Sequence, residues 1–126
     1  MIYQLQDRLV QKEFDAAKLY YDLGTYNGNC IFGGNNYEAC IITAENAIKT
    51  FPYTNLKEDL SILILRAKYK LAQNSVVEKE KERFQNAIDE YYGFKNEFPE
   101  SKYLNEAEKI FKNSSEKIGT TQAKES

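Results

Sequence analysis

The chain has 126 residues, 42% hydrophobic and 29% charged, with a net charge of −2 and no histidine. That length and balance describe one folded domain that buries about two-thirds of its unfolded surface, and they exclude a disordered chain. Both signs of charge are interspersed, so no basic stripe is present to neutralise phosphates, and nucleic acid is not an expected partner.

The missing histidine removes the commonest general base and metal ligand, together with every Ser/His or Cys/His arrangement. Gly33-Gly34 lacks the Lys-Ser/Thr and the flanking strand of a phosphate loop. The carboxylates fall on polar helix faces, where solvation is the ordinary role. A non-enzymatic protein without cofactor or metal is expected. No signal peptide, transmembrane run or lipid-attachment cysteine is visible at the start, where a helical pattern begins almost at once.

Residues 3–23 read as a long helix with two adjacent apolar sides. Leu5, Leu9, Ala16, Tyr20 and Leu23 form one; Val10, Phe14, Ala17 and Tyr21 form the other; Gly24 is placed to stop the helix. Two sides call for two neighbours, so part of this surface is expected to stay uncovered, as at a cut through a longer solenoid. The second helix, about 36–51, carries Tyr37, Cys40, Ile41, Ala44, Ala47, Ile48 and Phe51 at spacings of three and four.

The third helix, about 55–73, contains Leu60-Ser61-Ile62-Leu63-Ile64-Leu65, apolar nearly all round, and is expected to be the buried central one. The fourth, about 78–98, presents Phe84, Ala87, Ile88, Tyr91, Phe94 and Phe98, with Gly93 read as the mark of a close helix–helix contact. The fifth, about 102–117, presents Leu104, Ala107, Ile110, Phe111 and Ile118. A polar tail over 119–126 is expected to be disordered, leaving 1–118 as a single repeat domain.

Two Phe-Pro steps punctuate this order. Phe51-Pro52 and Phe98-Pro99 lie 47 residues apart, and in each the aromatic ends an apolar stripe while the proline blocks helix continuation. Thr54 and Ser101 follow two positions later as caps for the next helix, then Leu56 and Tyr103, then Leu60 and Ala107. Repetition of the whole register implies helical-hairpin repeats. The expected fold is therefore all-α, an α-solenoid of about five antiparallel helices with tetratricopeptide-like helix-turn-helix repeats. HEAT-like pairs are the alternative, since their period of about 40–47 residues is closer to the spacing here.

Four segments carry a likeness to a known family: Leu19-Tyr20-Tyr21-Asp22-Leu23-Gly24, Asn35-Asn36-Tyr37-Glu38-Ala39-Cys40-Ile41, Leu60 through Tyr69, and Tyr91 through Tyr103. They resemble the C-terminal part of the BamD (YfiO-like) family of outer-membrane assembly lipoproteins, and the likeness extends from about Leu5 to Ile118. The resemblance implies a non-enzymatic scaffold on the periplasmic face of the outer membrane, in the complex that folds and inserts β-barrel proteins. Its C-terminal repeats would dock on the periplasmic domain of the central barrel protein. Membrane association would come only through a family N-terminal lipid that this chain lacks. Another periplasmic tetratricopeptide adaptor, such as one coordinating envelope constriction in division, is an alternative. So is a peptide-binding co-chaperone module, but the row of groove lysines and asparagines typical of those is not found here. Asn27 through Asn36 is longer than the family's turn, with Cys30-Ile31-Phe32-Gly33-Gly34 as the extra residues.

Four residues are candidates for protein binding. Ile42 projects about 100° from Ile41, among Glu38, Glu45, Asn46 and Lys49, so an apolar anchor rimmed by Asn46 and Lys49 is one reading and cover by another helix the other. Phe32, between glycines of the long loop, is either a mobile anchor or a residue tucked onto helix ends. Of Tyr20-Tyr21 and Tyr91-Tyr92, one member of each pair should point inward. Cys40 reads as a core residue, with a Cys30–Cys40 bridge as the alternative.

Overall fold

The computed structural model describes residues 2–24, 36–75 and 77–125. These residues are all-α, in the order α1 (Ile2–Leu23), α2 (Asn36–Thr50), α3 (Lys57–Gln73), α4 (Val77–Glu97) and α5 (Leu104–Glu125). Acidic residues open α2 to α5, at Glu38, Glu58 and Asp59, Glu78 and Glu80, and Glu106, where they meet the positive end of the helix dipole. Lys49, Lys70 and Lys95 stand in the last turns of α2, α3 and α4. Packing groups the chain into two compact units, Met1–Ala67 and Lys68–Ser126.

In the first unit α1 packs against α2, and the N-terminal part of α3 completes the core. Val10 and Ala17 of α1, Cys40, Ala44 and Ala47 of α2, and Leu60, Leu63, Ile64 and Ala67 of α3 are all buried together. Phe14, Tyr21, Ile41, Ile48, Phe51 and Leu56 close the edges of this cluster. Of the two apolar sides of α1, the one with Val10, Phe14, Ala17 and Tyr21 faces the core, and Tyr21 meets Tyr37 edge to face at 5.7 Å. Ile62 and Leu65 are also buried, so α3 is shielded from solvent on both of its faces, as its all-round apolar run requires.

In the second unit α4 packs against α5. Phe84, Ala87, Ile88, Tyr91 and Phe94 are buried on α4, and Ala107, Ile110 and Ser114 on α5. Tyr91 stacks on Phe111 with ring centroids 4.8 Å apart, and Phe94 lies against Phe98. The end of α3 joins α4 through Tyr69 against Phe84 and a half-exposed Lys68–Glu90 pair at 3.5 Å, the latter worth less than about 1 kcal/mol.

The Phe-Pro steps build the same turn twice. At the first, the Phe51 N–H donates to the Ala47 carbonyl at 2.9 Å and the Thr54 N–H to the Phe51 carbonyl at 3.1 Å. The Lys57 N–H then donates to the Thr54 carbonyl at 3.3 Å, and the Leu56 N–H to the Thr54 hydroxyl at 3.1 Å. At the second, Phe98, Ser101 and Leu104 make the corresponding backbone bonds to Phe94, Phe98 and Ser101 at 2.8, 3.1 and 3.2 Å, and Tyr103 donates to the Ser101 hydroxyl at 3.0 Å. A proline that has no N–H to offer, followed by a hydroxyl that satisfies the first free N–H of the next helix, is enough to specify this geometry.

Three glycines and one serine sharpen the picture. Gly24 closes α1 with φ at +54°, its N–H donating to the Tyr20 carbonyl at 3.0 Å while its own carbonyl accepts from Asn36 at 3.2 Å. A Cβ on Gly24 would lie 2.6 Å from the Tyr37 hydroxyl oxygen. Gly93, by contrast, is exposed and has no atom within 4 Å of a built Cβ, so the close helix contact expected there is absent. Gly119 is equally open and does not stop α5, which continues through the polar segment to Glu125. Ser114 is fully buried, and its hydroxyl alone among the described buried side-chain polar atoms lacks a hydrogen-bond partner.

The two inner glycines should respond in opposite directions to alanine. Gly24→Ala is expected to destabilise by about 1 kcal/mol or more through left-handed strain, and Gly93→Ala to stabilise by about 0.5–1 kcal/mol through helix propensity. Denaturant unfolding followed by circular dichroism reads both; equal and same-signed effects would contradict the geometry. Ser114→Ala, which removes the unpartnered hydroxyl, is expected to stabilise by about 1 kcal/mol in the same assay.

Candidate docking surface

The core side of α2 is narrow. Cys40, Ala44 and Ala47 point into it, and the turn of about 100° per residue carries Ile42 to the opposite side. Ile42 is 59% exposed, so none of the described helices covers it. Glu38, Glu45, Asn46 and Lys49 around it are exposed as well. A β-branched apolar side chain in such company gains little from its own fold.

Asn46, one turn along from Ile42, borders a groove of about 330 Å³ between α1 and α2. Leu9 and Glu13 of α1 line it with Asn46, Ala47 and Thr50 of α2 and Phe51 just beyond. Leu9 is itself exposed, and Ala47 and Phe51 supply an apolar floor. Asn46 and Thr50 offer amide and hydroxyl hydrogen bonds at the rim, and Glu13 offers an acceptor. The structure therefore brings Asn46 to a groove, sets Ile42 beside it, and leaves Lys49 on the outer side of the same helix. Phe32 lies outside the described residues.

α1 carries further exposed apolar residues: Leu19, Tyr20 and Leu23. Leu19 was not legible as a surface anchor, because it lies at the outer margin of the first apolar side of α1, away from the core side. The signal that exposed the rest was the doubling of those sides, since a single neighbour covers only one. The tyrosine pairs divide as expected: Tyr91 is buried and Tyr92 half exposed, while Tyr21 borders the core and Tyr20 faces outward.

Among the described residues no group of three or more His, Cys, Asp or Glu is placed to hold a metal, and no helix is long and apolar enough to cross a membrane. Cys40 is a free thiol in the core, and its pKa is pushed up to about 12, first by burial and then by the charge of Asp22. A thiol held protonated is a poor nucleophile. No protein-family model matches the chain, and no curated protein matches it.

Cys40 should resist alkylation at pH 8 in the folded protein and react fully in denaturant, as read by peptide mass spectrometry; rapid labelling of the folded chain would contradict its burial. Because the folded thiol ionises above the exposed value of 9.0, its contribution to stability is full below about pH 9 and is lost as the pH rises toward 12.

Proposed function

We propose that this chain is a protein-docking module of tetratricopeptide-like helical hairpins, acting without catalysis. The observation that carries the reading is Ile42, exposed on α2 beside a groove that Asn46 helps to line. The twice-built Phe-Pro turn supports the repeat assignment, since the same hydrogen bonds recur at the same spacing. Helical repeats present side chains along an exposed face, and an apolar residue enclosed by a polar rim matches the apolar-core, polar-rim anatomy of protein interfaces.

The partner we propose is the periplasmic domain of the central barrel protein in the outer-membrane β-barrel assembly complex. This rests on the resemblance of the segments around Leu19–Gly24, Asn35–Ile41, Leu60–Tyr69 and Tyr91–Tyr103 to the BamD family. The periplasmic face of the outer membrane is the matching location. On this reading Ile42 fills an apolar recess of the partner, while Asn46 and Lys49 pair with polar groups at its edge. Lys49 stands in the last turn of α2, where the helix C-terminus already favours a cation, so its charge is held ready for an acidic group on the partner.

Calorimetric titration of this chain against that periplasmic domain from the same source tests the proposal. Saturable one-to-one binding is expected, weakened at least about tenfold by Ile42→Asp at unchanged helicity. An absence of binding by the folded chain would overturn the partner assignment. Binding indifferent to Ile42→Asp would overturn the anchor.

A further inference from the structure

The three helices that open each hairpin align by their core residues. Val10, Phe14, Ala17 and Tyr21 of α1 correspond to Leu60, Ile64, Ala67 and Leu71 of α3, and to Ala107, Phe111, Ser114 and Ile118 of α5. This register makes the remaining positions comparable. Leu9, Ala16, Leu19, Tyr20 and Leu23 of α1 then fall where α3 has Asp59, Arg66, Tyr69, Lys70 and Gln73. In α5 the same positions are Glu106, Asn113, Glu116, Lys117 and Thr120. The outer side of α1 is apolar where its counterparts are mostly or wholly polar, so the repeat itself does not require it.

That side is also bare. Leu9 is 46% exposed, Leu19 59%, Tyr20 36% and Leu23 38%. Positions 9, 12, 16, 19 and 23 follow alternating steps of three and four, the spacing of a helix seam that faces one other helix. Only Lys12 interrupts it, and a lysine can lay its methylenes along such a seam while its ammonium reaches water. Ala16, at the midpoint, is small enough for two helices to cross closely.

We propose that this seam pairs with the same seam of a second copy of this chain, with the two α1 helices antiparallel. The charges beside the seam choose the direction. Arg8 stands at one end of the flank and Asp22 at the other, both exposed. Antiparallel pairing sets Arg8 of each copy beside Asp22 of the other, Leu9 opposite Leu23, and Ala16 opposite Ala16. A parallel pair would place Arg8 against Arg8 and Asp22 against Asp22. Asp15 meets its own copy near the two-fold axis. There Gln11 donates to its carboxylate at 2.9 Å, and Lys12 and Lys18 lie three residues away on either side.

The size of the seam sets the strength. A 22-residue helix is roughly 33 Å long and roughly 10 Å wide, which is less than the standard interface of about 800 Å² per partner. A reversible dimer dissociating in the micromolar range follows, not a permanent one.

Sedimentation velocity of the intact chain, from about 5 to about 500 μM, spans that range. A monomer–dimer equilibrium is expected, weakened at least about tenfold by Leu19→Asp. Arg8→Asp and Asp22→Arg should each weaken it, and the two together should restore it. Ile42→Asp, which tests docking, should leave the dimer intact. Helicity by circular dichroism checks that each variant folds. A monomer at the highest concentration would overturn the proposal and leave the seam to a helix of another protein. A dimer indifferent to Leu19→Asp, or one not restored by the double charge reversal, would overturn it too.

Discussion

The close approach of helices in the first unit depends on small side chains at the crossing. Ala17 of α1, Cys40, Ala44 and Ala47 of α2 and Ala67 of α3 are essentially without solvent exposure. Each puts no more than a methyl or a thiol between neighbouring backbones, which lets the larger Val10, Leu60, Leu63 and Ile64 interdigitate around them. A larger side chain at any of these positions would push helices apart, and overpacking of this kind typically costs about 1–3 kcal/mol. The second unit uses the same device with Ala87 on α4 and Ala107 on α5. Ser114 keeps the small volume of Ala67 at the corresponding position but adds a hydroxyl that the core does not satisfy.

Small residues at the crossings determine which helix faces remain outside. With Cys40, Ala44 and Ala47 turned inward, Ile42 has no route to the core, because its projection is set by the helix turn and not by its hydrophobicity. The same logic applies to α1. Once Val10 and Ala17 are inserted, Leu9, Leu19 and Leu23 are held in solvent. Ordinary scattered apolar exposure needs no explanation, but here several such residues share two neighbouring helices, and one of them, Leu9, lines the groove between those helices. The surface on which the functional reading rests is thus a by-product of core geometry.

The Phe-Pro turn shows how a short motif can carry a reproducible structure. Proline removes one donor, the following hydroxyl supplies one acceptor, and the aromatic anchors the chain at the core edge. All three requirements are local, so they are met wherever the motif occurs. Gly24 solves the corresponding problem between α1 and α2 differently, by a left-handed backbone that Tyr37 packs across.

The five helices, their order, the Phe-Pro turns and the inward residues of α2 and α4 were determined by the amino-acid sequence itself. These follow from apolar spacing, proline chemistry and hydroxyl caps, all of which act within about ten residues. The two-sided character of α1 was legible for the same reason, and so was the division of each tyrosine pair. What only tertiary structure decided is which surfaces found a neighbour. Spacing along α2 carries no information about whether a helix distant in the chain covers Ile42, and in the fold none does among the described residues. Gly93 looked like a packing contact because glycine permits close approach, yet permission is not occupancy, and the space beside it is open. The groove joining Leu9 to Asn46 needs two helices at a particular separation, which small residues at the crossing set and no single segment encodes. Burial depends on contacts remote in sequence, and therefore it belongs to the fold.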